Sequence, residues 1–113
     1  MKHSSIILAA FIAAVLLLTG CTSIIQGETG APKAPELATQ ACILLCEQKL
    51  AEGMDLTAGP CLSNEIYPDW VCDVAHTPRA AADNNPANQC PEYAKTKSHF
   101  VEVNPNCQLI RAN

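Results

Sequence analysis

The segment ELATQACILLCEQKLAEGM, Glu36 to Met54, is the clearest secondary-structure signal in the chain. Pro35 suits the first turn of a helix there, and Gly53 suits a C-terminal cap. The apolar side chains recur at the spacing of one side of a helix, while the polar ones fall elsewhere. The segment therefore predicts an amphipathic helix whose apolar side contains Leu37, Ala41, Cys42, Leu44, Leu45, Cys46 and Leu50.

Two cysteines lie on this predicted helix. Cys42 and Cys46 are four residues apart and stand one above the other. Their Cβ atoms are then too far apart for a disulfide, which prefers about 3.8 Å. Each is expected to bond to a different segment, which would hold one helix face at two points. The six cysteines from Cys42 to Cys107 allow fifteen sets of three disulfides. The sets that join Cys42 to Cys46 are excluded, and the sequence does not choose among the others.

The whole chain has seven cysteines, so at least one cannot belong to an internal disulfide framework. Cys21 follows the apolar run from Ile6 to Leu18 after the two small residues Thr19 and Gly20, and the run is preceded by the basic start Met1-Lys2-His3. The run is too short to span a bilayer, which needs about 20 apolar residues, and it has the layout of a cleaved export signal. Leu18-Thr19-Gly20-Cys21 resembles the lipobox of prokaryotic lipoproteins.

This resemblance implies cleavage before Cys21 and a diacylglycerol on its sulfur. Two acyl chains give stable anchoring, so the membrane is the implied partner. Thr22 is not the aspartate associated with inner-membrane retention, and the implied location is the extracytoplasmic face of a cell membrane or outer membrane. An ordinary thiol after conventional cleavage and an uncleaved anchor remain alternatives. The chain then divides into a signal peptide (1–20), a lipidated cysteine with a flexible linker (21–35) and a domain (36–113).

The domain is too small for its apolar side chains alone to offset the conformational entropy of folding. An even number of cysteines in an exported domain of this size predicts a disulfide framework. We expect three disulfides among Cys42, Cys46, Cys61, Cys72, Cys90 and Cys107.

The remaining elements follow from turn formers and alternation. Asp55 to Pro68 is rich in turn formers and predicts a loop with at most one helical turn. Asp69 to Val74 alternates and predicts a short strand with Cys72 pointing inward. A short helix is predicted from Pro86 through Cys90 to Thr96, and a β-hairpin from Ser98 to Ala112. The predicted fold class is α+β: one main amphipathic helix against a small antiparallel sheet, stapled by three disulfides.

Two runs of the domain have a second resemblance. WVCDVAHTPRAAADNNPANQC, Trp70 to Cys90, and HFVEV, His99 to Val103, are similar to stretches in small exported cysteine-containing proteins of archaea. This resemblance carries over no functional residue.

Four polar residues are candidate metal ligands: Asp73, His76, His99 and Glu102. If the strands that carry them were adjacent, their imidazole and carboxylate groups could converge on zinc or another transition metal. Their spacing is not diagnostic, and the other reading is that they satisfy backbone groups in loops. A cysteine-rich zinc site would need C-x₂-C pairs, which the sequence lacks. We therefore predict no cofactor unless this cluster binds a metal.

The sequence favours a non-enzymatic role. It contains no G-x-S-x-G motif and no glycine-rich phosphate loop, and Ser98 and His99 would point to opposite faces of a strand. A net charge of −4 with scattered basic residues argues against nucleic acid as a partner. The leading hypothesis is a lipid-anchored binding or envelope-interaction domain, with another envelope protein as a candidate partner. Ile66-Tyr67-Pro68 is the candidate contact if it is exposed, and the other reading is that it belongs to the core. The alternatives are a metal-binding protein or metal-dependent enzyme, and an envelope protein without a dedicated ligand.

Overall fold

The computed structural model describes residues 30–113. The predicted signal peptide, Cys21 and most of the predicted linker lie outside the described residues. Helix α1 spans Ala34–Ala51 and packs against a sheet of four strands. The strands are β1 (Cys61–Tyr67), β2 (Trp70–Val74), β3 (His99–Val103) and β4 (Leu109–Ala112), and single 3₁₀ turns cover Leu56–Ala58, Ala81–Asn84 and Pro86–Asn88. The predicted α+β class with three disulfides is confirmed.

The sheet has the order β1-β2-β3-β4. The outer pairs β1–β2 and β3–β4 are antiparallel, and the second of them is the predicted hairpin, whereas the central pair β2–β3 is parallel. The reason lies in residues 75–98, which carry the chain from the end of β2 back to the level where β2 began. Parallel neighbours require such a long connection. We call this segment the crossover.

Helix α1 approaches the sheet through small side chains. Ala38, Cys42 and Cys46 are fully buried, whereas Leu44 is 66% exposed and Leu50 is 48% exposed. The prediction that these leucines lie on the core side is therefore wrong. The disulfides of the helix explain this, because each holds a helix Cα only 5.5 Å from its partner Cα, a distance at which no leucine fits between helix and sheet.

The inner face of the sheet, which packs against α1, forms the main core. Trp70, Cys72 and Val74 of β2 lie on this face, as their alternation predicts, beside Val101 and Val103 of β3. The other face, which we call the outer face, carries a second and smaller apolar cluster formed by Val71, Cys90, Phe100 and Cys61. The crossover covers this face, so both sides of the sheet have a partner.

The disulfides connect Cys42 to Cys72, Cys46 to Cys107, and Cys61 to Cys90. The prediction that the two helix cysteines bond to two different segments is confirmed. Disulfides persist in oxidising compartments outside the cytoplasm, which makes this an extracytoplasmic domain. Within residues 30–113, no helix combines the length and the apolar character that crossing a membrane requires.

Two predicted elements are wrong. The predicted loop contains strand β1, in which Leu62, Ile66 and Tyr67 pack on the core although the pairing with β2 is irregular. The predicted helix from Pro86 to Thr96 is only a 3₁₀ turn over Pro86–Asn88. The Cys61–Cys90 disulfide holds this part of the crossover against the sheet, and a left-handed backbone follows at Ala94, so the chain cannot continue as a helix.

Candidate functional site

A cleft of about 400 Å³ lies between the outer face of the sheet and the crossover. Its floor consists of strand residues and its wall consists of crossover residues. We call it the outer cleft. Its floor is lined by Val71, Asp73, Phe100, Glu102 and Arg111, and its wall by Arg79, Asn84, Gln89, Cys90 and Tyr93.

A row of three charged side chains crosses the floor. The strand register places Asp73 of β2 beside Glu102 of β3, and Glu102 beside Arg111 of β4. Asp73 and Glu102 point to the outer face because side chains alternate along a strand and the residues before and after them face α1. Arg111 lies on the same face, because it contacts Glu102 and the Phe100 ring. Neighbouring strands are about 4.8 Å apart, so each charge interacts directly with the next.

Glu102 holds two guanidinium groups. Its Oε2 accepts a hydrogen bond from Arg111 Nε at 2.9 Å, and its Oε1 accepts one from Arg79 Nη1 at 3.3 Å. The hydrogen bond to Glu102 and the negative charge of that carboxylate raise the pKa of Arg111. Glu102 is only 8% exposed, and a carboxylate this buried needs such partners.

Arg79 ties the crossover to the sheet. Besides its bond to Glu102, it donates from Nη2 to the backbone oxygen of Asp83 at 3.1 Å and from Nε to Asn84 Oδ1 at 3.3 Å. All three of its nitrogens are therefore engaged within the protein. The wall of the outer cleft is held in place by this side chain and by the Cys61–Cys90 disulfide.

Asp73, unlike Glu102 and Arg79, has a polar atom without a partner in the described part of the chain. Its Oδ1 is buried and has no hydrogen-bond partner among residues 30–113. Burial, and then the charge of the neighbouring Glu102, raise the pKa of Asp73 to about 7. A carboxyl group in this state accepts a positive charge or a hydrogen-bond donor readily, because either would relieve the cost of burying its charge.

An aromatic pair completes the lining. Tyr93 meets the ring of Phe100 edge to face, with ring centres 5.2 Å apart. The guanidinium of Arg111 lies over the Phe100 ring, with Cζ 4.9 Å from the ring centre. This cation–π contact fixes the plane of the guanidinium at the edge of the cleft.

The structure brings together only two of the four candidate metal ligands. Asp73 and Glu102 are neighbours, but His76 bonds to Asp83 and His99 stacks on Trp70 near Asp69. The parallel pairing explains the separation, because His99 begins β3 beside the start of β2 while His76 follows the end of β2. Within the described chain, no group of three or more His, Cys, Asp or Glu residues could hold a metal ion.

Asp83 organises the crossover. Its Oδ2 accepts hydrogen bonds from the backbone N–H groups of His76 and Ala80, and its Oδ1 lies 2.8 Å from His76 Nδ1. Burial of Asp83, which is 3% exposed, acts to raise its pKa, but these hydrogen bonds outweigh burial and the pKa is lowered. Gly59 packs against this carboxylate, where an added Cβ would stand 2.8 Å from Oδ1.

Several residues of the cleft were not singled out from the sequence. Arg79 and Arg111 are two of the scattered basic residues, and no sequence motif marks Tyr93 or Phe100 as binding residues. Alternation in β3 and β4 could have placed Glu102 and Arg111 on the outer face. No sequence signal indicates that Arg79 reaches Glu102, because that contact depends on how the crossover folds back.

Comparison of the chain with models of protein families, with curated protein sequences and with solved structures finds no match. The function is therefore inferred from the chemistry of the outer cleft and from the cysteine arrangement.

Proposed function

We propose that this protein is a lipid-anchored extracytoplasmic recognition domain that binds a small ligand in the outer cleft. The observation that carries the proposal is a concave site with a disulfide-held wall, an aromatic pair and four charged side chains. Binding sites typically combine apolar walls with a few fixed polar groups. Pre-formed walls also reduce the ordering cost of binding.

The cysteine arrangement supports the anchor. The six cysteines of residues 30–113 are paired with one another, so Cys21 has no other cysteine of this chain to pair with. An unmodified thiol there would be reactive in an oxidising compartment. Lipidation removes that thiol and provides the membrane attachment that the lipobox resemblance implies.

The anchor is tested by intact mass spectrometry of protein extracted from membranes, with and without reductant. We expect the loss of residues 1–20, the added mass of a diacylglyceryl group on Cys21, and a gain of six hydrogen atoms on reduction of the three disulfides. The Cys21→Ser variant should retain residues 1–20 and carry no lipid. Wild-type protein with an unmodified Cys21 would contradict the proposal.

Ligand binding is tested by thermal unfolding of the mature protein with a panel of amino acids, amines, carboxylates, sugars and phosphate esters at millimolar concentration. A ligand that binds only the folded state raises the Tm by mass action. We expect at least one class to raise the Tm of wild-type protein but not of Asn84→Trp, in which the indole occupies the cleft.

The matched control is Gln40→Trp, which places the same side chain on the exposed side of α1, away from the cleft. It should respond to the panel as wild-type protein does. A Tm unaffected by every class, or raised equally in Asn84→Trp, would contradict binding in the outer cleft.

A further inference from the structure

The charges of the outer cleft are sorted across the sheet. Asp73 lies on β2 at one side, Arg111 lies on β4 at the other, and Glu102 stands between them. Arg79 balances Glu102 from the crossover. With Asp73 and Glu102 ionised, the charges of the four side chains sum to zero. The negative end of the row lies at β2 and the positive end lies at β4.

The two ends of the row have unused bonding capacity. Asp73 lines the cleft, and its buried Oδ1 has no hydrogen-bond partner among the described residues, so the charge of this carboxyl group is poorly compensated. Arg111 uses Nε on Glu102, and within residues 30–113 neither of its Nη groups makes a hydrogen bond, while its side chain is 59% exposed. Arg79, in contrast, is fully used in holding the crossover. Recognition is therefore expected from Asp73 and Arg111.

A ligand with a single charge fits this row poorly. An anion near Arg111 is repelled by the carboxylates of Glu102 and Asp73, and a cation near Asp73 is repelled by the two guanidinium groups. A ligand that carries both charges meets an opposite charge at each end. Asp73 and Arg111 are two strands apart, about 10 Å between Cα atoms, so a ligand would have to lie over Glu102 to contact both side chains.

We propose that the outer cleft binds a dipolar ligand of the amino-acid or short-peptide class, with its ammonium group on Asp73 and its carboxylate on the Nη groups of Arg111. An apolar side chain of the ligand packs against Tyr93 and Val71, which line the same cleft. This inference rests on the proposed function, because it names the ligand class of the same site.

The test is isothermal titration of the mature protein with L-phenylalanine, phenethylamine and 3-phenylpropanoate, which share one ring and differ only in their charged groups. A charge-assisted hydrogen bond contributes roughly 1.5–3 kcal/mol, or about tenfold or more in affinity. L-Phenylalanine should therefore bind at least tenfold more tightly than either singly charged compound. L-Phenylalanylglycine distinguishes a peptide from a free amino acid, and tighter binding of either dipolar compound supports the proposal.

Two variants assign the ends. Asp73→Asn should weaken the binding of L-phenylalanine about tenfold and should not weaken the binding of 3-phenylpropanoate. Arg111→Gln should weaken the binding of L-phenylalanine and should not weaken the binding of phenethylamine. General damage to the fold would weaken all compounds alike. Lys49→Gln, a charge change on α1 away from the cleft, is the matched control and should bind as wild-type protein does.

Equal affinity for L-phenylalanine and 3-phenylpropanoate, or binding indifferent to both variants, would overturn this inference. If a compound of the wider panel still raised the Tm of wild-type protein and not of Asn84→Trp, the recognition role would stand without the dipolar ligand. If no compound bound, both proposals would fall.

Discussion

Replacing Cys46 and Cys107 together by alanine is expected to lower the free energy of unfolding by about 4 kcal/mol. This disulfide closes the longest loop of the three, with a sequence separation of 61 residues, so its loss restores the most freedom to the unfolded chain. Both sulfurs are buried in the core between α1 and the turn before β4. Urea unfolding followed by circular dichroism measures the difference.

Cys61→Ala with Cys90→Ala is the matched control. Its loop is shorter, with a separation of 29 residues, and Cys61 is only partly buried, so we expect a smaller loss of stability. Loss of this disulfide should instead loosen the wall of the outer cleft, because the bond holds the crossover against the sheet. Helix α1 does not depend on it. A loss below about 1 kcal/mol for the first pair would show that the unfolded chain keeps compact structure without that disulfide.

The helix and its two outward disulfides could be predicted because both depend on local geometry. The spacing of Cys42 and Cys46 on a helix excludes a bond between them whatever the rest of the chain does. The choice of Cys72 and Cys107 as partners depends on which strands lie beneath the helix. Those contacts join distant segments, and periodicity contains no information about them.

The leucines of α1 show how the disulfides override hydrophobic patterning. Leu44 and Leu50 have the period of a buried face, yet covalent bonds bring the smaller Ala38, Cys42 and Cys46 against the sheet. The strand β1 was missed for a related reason. It contains Asn64 and lies between Pro60 and Pro68, so the local composition indicates a loop. Cys61 becomes part of a strand through its pairing with β2 and its bond to Cys90.

The candidate site could be predicted only in part. The sequence singled out Asp73 and Glu102, and the register makes them neighbours. The parallel direction of β3 separates His76 from His99. The sequence predicts an antiparallel sheet, from which this separation does not follow. Alternation explains why Glu102 and Arg111 share the outer face, but Arg79 joins them only through the fold of the crossover.

Asp73 and Asp83 are expected to have opposite effects on stability at alkaline pH. Asp73→Asn should raise the free energy of unfolding by roughly 2 kcal/mol at pH 8. The native pKa of Asp73 is raised to about 7, while an unfolded aspartate has a pKa near 3.9. The native state therefore holds a proton that the unfolded state releases, and wild-type stability falls as the pH rises from about 4 to 7.

Asp83→Asn should lower stability at pH 8 by about 3 kcal/mol, because the amide disrupts buried hydrogen bonds that converge on a carboxylate. The native pKa of Asp83 is lowered, so the stability it provides is present above the unfolded pKa and is lost as the pH falls. Urea unfolding at pH 4, 6 and 8 separates the two cases: the gain in Asp73→Asn should vanish near pH 4, and the deficit in Asp83→Asn should shrink in more acidic solution. A gain in Asp73→Asn that is the same at all three pH values would show that its source is packing, not the relief of a buried negative charge beside Glu102.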